Sequence, residues 1–74
     1  EIKLTYKEFE LLSMLMKHRE KVFDRDEILV KIWGYDFDGE NRTVDVHIRT
    51  LRSKLKDGGN IIETVRGVGY KVKG

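Results

Sequence analysis

The chain contains no cysteine, no proline and no long apolar run. Without cysteine, neither a disulfide nor a thiolate metal site can stabilise it, so it must fold by packing alone, and it suits a reducing compartment. No segment approaches the roughly 18 apolar residues of a membrane span, and the start lacks a signal-peptide pattern. With no linker or repeat, the sequence predicts one small, soluble, cytoplasmic domain over residues 1–74.

Groups suited to catalysis or metal binding are also scarce. The two histidines, His18 and His47, are far apart in sequence, and no histidine pair stands at metal-ligand spacing. Most acids lie at predicted helix starts, where capping explains them. The sequence therefore argues against an enzyme and predicts neither a cofactor nor a metal.

Charge is unevenly distributed along the chain. The formal net charge of +2 is too small to indicate nucleic-acid binding by itself. However, residues 42–56 carry a net charge of +4 and residues 64–74 of +3, whereas residues 24–41 carry −4. Any basic surface must therefore come from the segments 42–56 and 64–74.

Two capping boxes predict the first two helices. Thr5 to Glu8 starts a helix over residues 6 to 17 or 18, and Asp24 to Glu27 starts a second over 25 to 33, which Gly34 ends. In the first, the residues expected to face inward are Phe9, Leu12, Leu15 and Met16. In the second they are Ile28, Leu29, Ile32 and Trp33. Trp33 is either a core residue or a platform for a ligand.

Residues 41–56 predict the third and central helix. Its apolar side chains recur at the spacing of one narrow stripe that must pack on a core. They are Val44, Ile48, Leu51 and Leu55. Asn41 is the expected N-cap, Asp45 suits the positive end of the helix dipole, and Gly58 or Gly59 is expected to end the helix with positive φ.

The opposite face of this helix is polar and basic. At about 100° per residue it carries Arg42, Val46, Arg49, Thr50 and Ser53, flanked by Thr43, His47 and Lys54 on one side and by Arg52 and Lys56 on the other. Cations of this kind neutralise phosphates, while short polar and aliphatic groups meet base edges and thymine methyls. Either the face is simply solvated or it binds the major groove of DNA.

A loop and a hairpin flank the third helix. The acidic loop 34–40 carries Tyr35 and Phe37, which either contact another protein or fold back on the core. Residues 61–65 and 70–73 predict two strands joined by a turn at 66–69. Arg66 at the tip is either a solvated charge or a group that enters a narrow minor groove.

Three capped helices followed by a hairpin indicate an α+β, winged helix-turn-helix domain. The segments 42–55 and 63–70, with Leu4-Thr5, 8–12 and Ile32-Trp33-Gly34, resemble the C-terminal effector domain of OmpR/PhoB-type response regulators. The resemblance covers essentially the whole chain. It implies a transcription regulator of a two-component system that binds direct repeats in promoter DNA as two copies head to tail.

The resemblance also implies roles for individual residues. Val46 and His47 match positions near base edges, Arg66 matches the minor-groove arginine of the wing, and Thr50 replaces a base-reading arginine of some members. With the helix face, the expected DNA-binding set is Arg42, Thr43, Val46, His47, Arg49, Thr50, Arg52, Ser53, Lys54, Thr64 and Arg66. The loop residues Tyr35, Asp36, Phe37, Asp38 and Glu40 match a segment proposed to touch RNA polymerase.

Two departures from that family pattern lead to further expectations. At most residues 1–4 remain of the small sheet that usually precedes the first helix, so Phe9, Leu11 or Met14 is expected to be partly uncovered. The receiver domain that carries the phosphorylation site is absent, which indicates a fragment of a longer two-domain response regulator.

The main competing function is that of a protein-interaction module, whose basic helix meets an acidic partner without DNA. RNA binding is a weaker alternative, because no sheet face pairs exposed aromatics for stacking on bases. A salt titration on duplex DNA separates the main alternatives, since phosphate-driven binding weakens steeply as salt rises.

Overall fold

A computed structural model describes residues 3–35, 37 and 39–73, and within them three helices and a small three-stranded sheet. In chain order, the elements are α1 (Tyr6–Lys17), β1 (Phe23–Asp24), α2 (Arg25–Trp33), α3 (Arg42–Leu55), a 3₁₀ helix (Lys56–Ile61), β2 (Ile62–Val65) and β3 (Gly69–Val72). The three helices and the hairpin of β2 and β3, hereafter the wing, confirm the predicted α+β winged-helix fold. Residues 3–5 form no strand, and the rest of the short strand considered at the start of the chain lies outside the described residues.

The sheet is antiparallel with the strand order β1-β3-β2. The strand β1 was not predicted. It is only two residues long, and Phe23 and Asp24 pair with Tyr70 and Gly69 of β3. Because the partner strand is so distant in sequence, no local sequence pattern predicts this pairing.

The first capping box is confirmed. The Glu8 amide donates to Thr5 Oγ1 at 3.2 Å, and the Thr5 amide donates to Glu8 Oε1 at 2.8 Å. At the start of α2, Asp24 Oδ1 accepts from the Glu27 amide at 2.7 Å. Each contact satisfies a backbone donor that a helix start leaves without an intrahelical partner.

The residues that cap the two ends of α3 differ from the prediction. Asn41 has helical φ and ψ of −63° and −12°, and its side chain does not cap α3 but donates to Asp26 Oδ1 at 3.3 Å. At the other end, α3 stops at Leu55 and Lys56 takes the positive φ of +54°, not Gly58 or Gly59. Gly59 instead lets the 3₁₀ helix approach the backbone of α3 closely, since a Cβ on Gly59 would stand 2.6 Å from the Arg52 carbonyl oxygen.

The core lies where the three helices meet the inner face of the sheet. Its buried apolar residues are Leu11, Leu15, Phe23, Ile28, Ile32, Val44, Ile48, Leu51, Ile62, Tyr70 and Val72. The predicted stripe of α3 is confirmed at three positions, and Leu55 packs against it partly buried. In α2, Ile28 and Ile32 are buried, whereas Leu29 and Trp33 are only partly buried.

The prediction for the inward face of α1 was partly wrong. The helix turns Leu11 and Leu15 inward, while Phe9 is 59% exposed and Met16 also lies at the surface. Side chains two positions apart in an α-helix differ in direction by about 200° around the helix axis. Phe9 therefore points nearly opposite to Leu11 and away from the core. The expectation of an uncovered residue therefore holds for Phe9 and fails for Leu11.

A charged pair joins α1 to α3. Lys54 Nζ lies 2.7 Å from Glu8 Oε1, and the Glu8 side chain is 5% exposed. Burial favours a raised pKa for Glu8, but hydrogen bonds from Lys54 and Thr5 outweigh it and hold the pKa below the ordinary 4.5. The ionised carboxylate is therefore part of the folded structure.

This pair predicts acid sensitivity. A carboxyl whose pKa is lowered by folding contributes stability that is present above its ordinary pKa and is lost as pH falls through the folded value. We expect the free energy of unfolding to fall as the pH drops below about 4.5. Denaturant unfolding at several pH values checks this, and Glu8→Gln should make the fall shallower. An equally steep fall in that variant would contradict the assignment to Glu8.

Candidate nucleic-acid interface

The outer face of α3 is open to solvent. Val44, Ile48 and Leu51 hold the helix on the core, and this fixes which residues point outward. The exposed set is Arg42, Val46, Arg49, Thr50 and Ser53. Val46 is an aliphatic side chain that remains 56% exposed between two cations. The predicted outward face is therefore present, with cations, hydroxyls and one aliphatic group side by side.

One flank of α3 is tied to α2 and the wing through Asp45. Its Oδ1 accepts from Arg25 Nε at 2.7 Å and from the Tyr70 hydroxyl at 2.5 Å. Burial favours a raised pKa for Asp45, but these two hydrogen bonds and the charge of Arg25 hold the pKa below its ordinary value. Burial and the bond to Asp45 together raise the pKa of Tyr70. The phenol therefore stays neutral and donates.

Arg52, on the same flank, is bound to the wing. Its Nε and Nη2 donate to the Ile62 carbonyl oxygen at 3.2 and 2.7 Å, and Nη2 also donates to Thr64 Oγ1 at 2.8 Å. The guanidinium carbon lies 5.7 Å from the centre of the Tyr70 ring. Arg52 and Thr64 of the predicted DNA-binding set are thus brought together, but they bind each other.

The other flank of α3 faces α1 and α2. Lys54 pairs with Glu8, as described above, so its charge is compensated within the protein. The His47 ring meets Trp33 edge to face at a centroid distance of 4.7 Å and is half-buried, as is Thr43. These three predicted site residues therefore lie at the border of the exposed face.

The wing ends in the turn 66–68, where Gly67 takes a φ of +77° that suits glycine. Arg66 stands in this turn and is exposed. The structure therefore places an exposed cation at the tip of a hairpin that side-chain hydrogen bonds join to α3.

The two aromatic residues of the loop after α2 differ in their exposure and contacts. Tyr35 is 89% exposed, whereas the Phe37 ring lies 5.9 Å from that of Trp33. Glu40 is exposed, and Asp36 and Asp38 lie outside the described residues. Trp33 contacts Phe37 and His47, which supports its interpretation as a packing residue.

Sequence reasoning missed the link formed by Arg25, Asp45 and Tyr70. Asp45 was assigned only to the helix dipole, and neither partner carried a local signal, since the three residues lie on different elements. Among the described residues no cluster of potential ligands fits a metal ion, and no helix has the length and apolar character for crossing a membrane.

Comparison with known proteins agrees with this geometry. Residues 1–72 match the family model "Transcriptional regulatory protein, C terminal". The heme response regulator HssR of Staphylococcus aureus (strain Newman) is 54% identical over 72 residues, which are 95% of this chain and 32% of that protein. The chain thus spans about a third of the length of the curated relatives it matches.

Solved structures agree as well. The DNA-binding domain of Bacillus subtilis CssR has a TM-score of 0.88 and 41% identity, covering 96% of this chain and 78% of that one. The Klebsiella pneumoniae RstA DNA-binding domain, solved in complex with the RstA box, has a TM-score of 0.83 and 37% identity, covering 97% of this chain and 74% of that one. These relatives are regulators, not enzymes. The chain therefore belongs to the C-terminal DNA-binding domains of OmpR/PhoB-type response regulators, which act in transcription regulation.

Proposed function

We propose that this domain binds specific sites in duplex promoter DNA with α3 in the major groove. The observation that carries the proposal is the uncovered outer face of α3. Arg42 and Arg49 neutralise phosphates, and this fixes the register of the helix without reading sequence. Val46 suits contact with a thymine methyl, and Thr50 suits a hydrogen bond to a base edge.

The residues at the border of this face take supporting roles in the proposal. His47 approaches base edges next to Val46, and Thr43 and Ser53 bind the phosphate backbone through their hydroxyls. Because Lys54 is held on Glu8, its contribution is to the placement of α3 on α1 rather than to a phosphate. Thr50 in place of an arginine gives this chain its own base preference.

The wing completes the proposed complex through the minor groove. Arg66 stands exposed at the tip of the hairpin, where a narrow A·T-rich groove attracts an arginine through its enhanced negative potential. Thr64 lies below it on β2 and is exposed. One domain thus reads the major groove with a helix and the shape of the adjacent minor groove with a single cation.

Replacing Arg66 by alanine tests the assignment of the wing. We expect the affinity for sites with A·T-rich flanks to fall about tenfold, a loss that suits one charge-assisted hydrogen bond, and the affinity for G·C-rich flanks to change little. Titration of labelled duplexes that differ only in their flanks measures both values. An equal loss on every flank would contradict a minor-groove role.

The proposal also includes two protein partners, a second copy of the domain and RNA polymerase. Two copies bind direct repeats head to tail in the cytoplasm, and the loop of Tyr35, Asp36, Phe37, Asp38 and Glu40 contacts RNA polymerase. The near-complete exposure of Tyr35 supports a protein contact there. Tyr35→Ala in the intact regulator should leave DNA affinity unchanged and lower activated transcription from a promoter in vitro. Unchanged transcription would overturn this role.

A further inference from the structure

We infer that Tyr70 and Arg52 are positioning residues for DNA binding, which hold the wing at a fixed angle to α3. The inference rests on the proposed function and deepens it. In addition to the apolar core that α3 shares with the wing, two sets of side-chain hydrogen bonds connect α3 to the wing strands. We call the residues that make them, Asp45, Arg52, Thr64 and Tyr70, the helix–wing latch.

The latch joins α3 to the wing at two points. Asp45 accepts from the Tyr70 hydroxyl on β3, and Arg52 donates to Ile62 and Thr64 on β2. Seven residues of α-helix separate the two α3 residues, which is about 10 Å along the axis. Two attachments at that separation, one to each strand of the hairpin, restrain its rotation as well as its distance from α3.

The two attachment points also support each other. The Arg52 guanidinium lies 5.7 Å from the centre of the Tyr70 ring, close enough for a favourable cation–π contact. Arg25 Nε donates to the same Asp45 oxygen that accepts from Tyr70, so α2 fixes the carboxylate as well. The latch therefore consists of two hydrogen-bonded groups that the contact between Arg52 and the Tyr70 ring links to each other.

Arg66 is far enough from the latch for a small tilt to matter. Tyr70 pairs with Thr64, and Arg66 lies two residues beyond Thr64, which is about 7 Å further along the hairpin. A tilt of about 15° at the latch would move the wing tip by roughly 2 Å, which breaks a hydrogen bond of ordinary length. Tyr70 and Arg52 thus set the position of Arg66 by holding the wing in place on α3.

A double-mutant cycle tests the inference. Tyr70→Phe removes only the hydroxyl and keeps the buried ring. We expect it to lower the affinity for a duplex with A·T-rich flanks about threefold to tenfold, because the wing loses one of the hydrogen bonds that position it. In the Arg66→Ala background the same change should cost less than twofold. Tyr6→Phe on α1, where Tyr6 is exposed, is the matched control and should leave the DNA affinity unchanged.

Arg52→Lys separates positioning from phosphate binding. A lysine keeps the charge but lacks the planar fork that reaches Ile62 and Thr64 together. We expect it to lower affinity as Tyr70→Phe does, with the loss again disappearing in the Arg66→Ala background.

Equal losses with and without Arg66, full affinity of Tyr70→Phe, or full affinity of Arg52→Lys would each overturn the inference while leaving the proposed function intact. If the wild-type domain fails to bind duplex DNA at low salt, the proposed function itself is overturned, and the inference with it. Circular dichroism melting of each variant excludes unfolding as the cause of a loss.

Discussion

Replacing Gly69 by alanine is expected to destabilise the domain by more than about 3 kcal/mol, which places it among the severe single substitutions. A Cβ on Gly69 would overlap the Phe23 carbonyl oxygen and stand 2.7 Å from the Asp24 Cα. Both atoms belong to the backbone of β1, which cannot move aside easily. The Phe23 side chain is fully buried, and Asp24 caps α2.

The expected loss is large relative to the stability of the whole domain. At about 0.05 to 0.15 kcal/mol per residue, a chain of this length is stable by only some 4 to 11 kcal/mol. Urea unfolding measures the change. Gly58→Ala is the matched control, because its Cβ would meet only Leu55 Cβ at 3.8 Å, an ordinary contact. A Gly69→Ala variant as stable as Gly58→Ala would show that β1 and β3 do not approach so closely.

Replacing Arg49 by alanine is expected to lower the affinity for duplex DNA about tenfold at low salt. Arg49 is exposed on the outer face of α3. A guanidinium that contacts a phosphate forms a charge-assisted hydrogen bond with it. Removing one such contact also reduces the number of counterions released. The plot of log affinity against log salt should therefore become shallower by about 0.9.

Lys54→Ala is the matched control for Arg49→Ala. It removes one positive charge from the same helix, but that charge is held on the buried Glu8. We expect a loss of stability, because the Glu8 carboxylate is left without its partner, and no change in the salt slope. A slope that falls equally in both variants would show that Lys54 also reaches a phosphate, and an unchanged slope in Arg49→Ala would contradict its proposed role.

The parts of the fold that were predicted correctly depend on short-range patterns. The capping residues of α1 and α2 and the apolar spacing of α3 lie within one or two helical turns of the elements they specify. The predicted bounds of all three helices therefore agree with the structure to within a residue. The outward face of α3 followed from the same spacing. Once Val44, Ile48 and Leu51 are buried, helical geometry leaves no other direction for Arg42 and Arg49.

The parts that were missed depend on contacts between distant segments. The strand β1 exists because Phe23 and Asp24 pair with β3 near the end of the chain. Asn41 does not cap α3 because its side chain binds Asp26 on α2. In the site, spacing placed Arg52 on the flank of α3, but only the fold shows that it binds β2. Sequence periodicity gives the direction of a side chain and not its partner.

The most direct test of the central claim is a salt titration of the wild-type domain on duplex DNA, beside a variant in which Arg42, Arg49 and Arg66 are all alanine. If the outer face of α3 and the wing bind phosphates, log affinity should fall linearly with log salt for the wild type. The slope should become shallower by roughly 2 to 3 in the triple variant. Indifference of the wild type to DNA at low salt, or equal slopes for the two proteins, would contradict the account and favour an acidic protein partner.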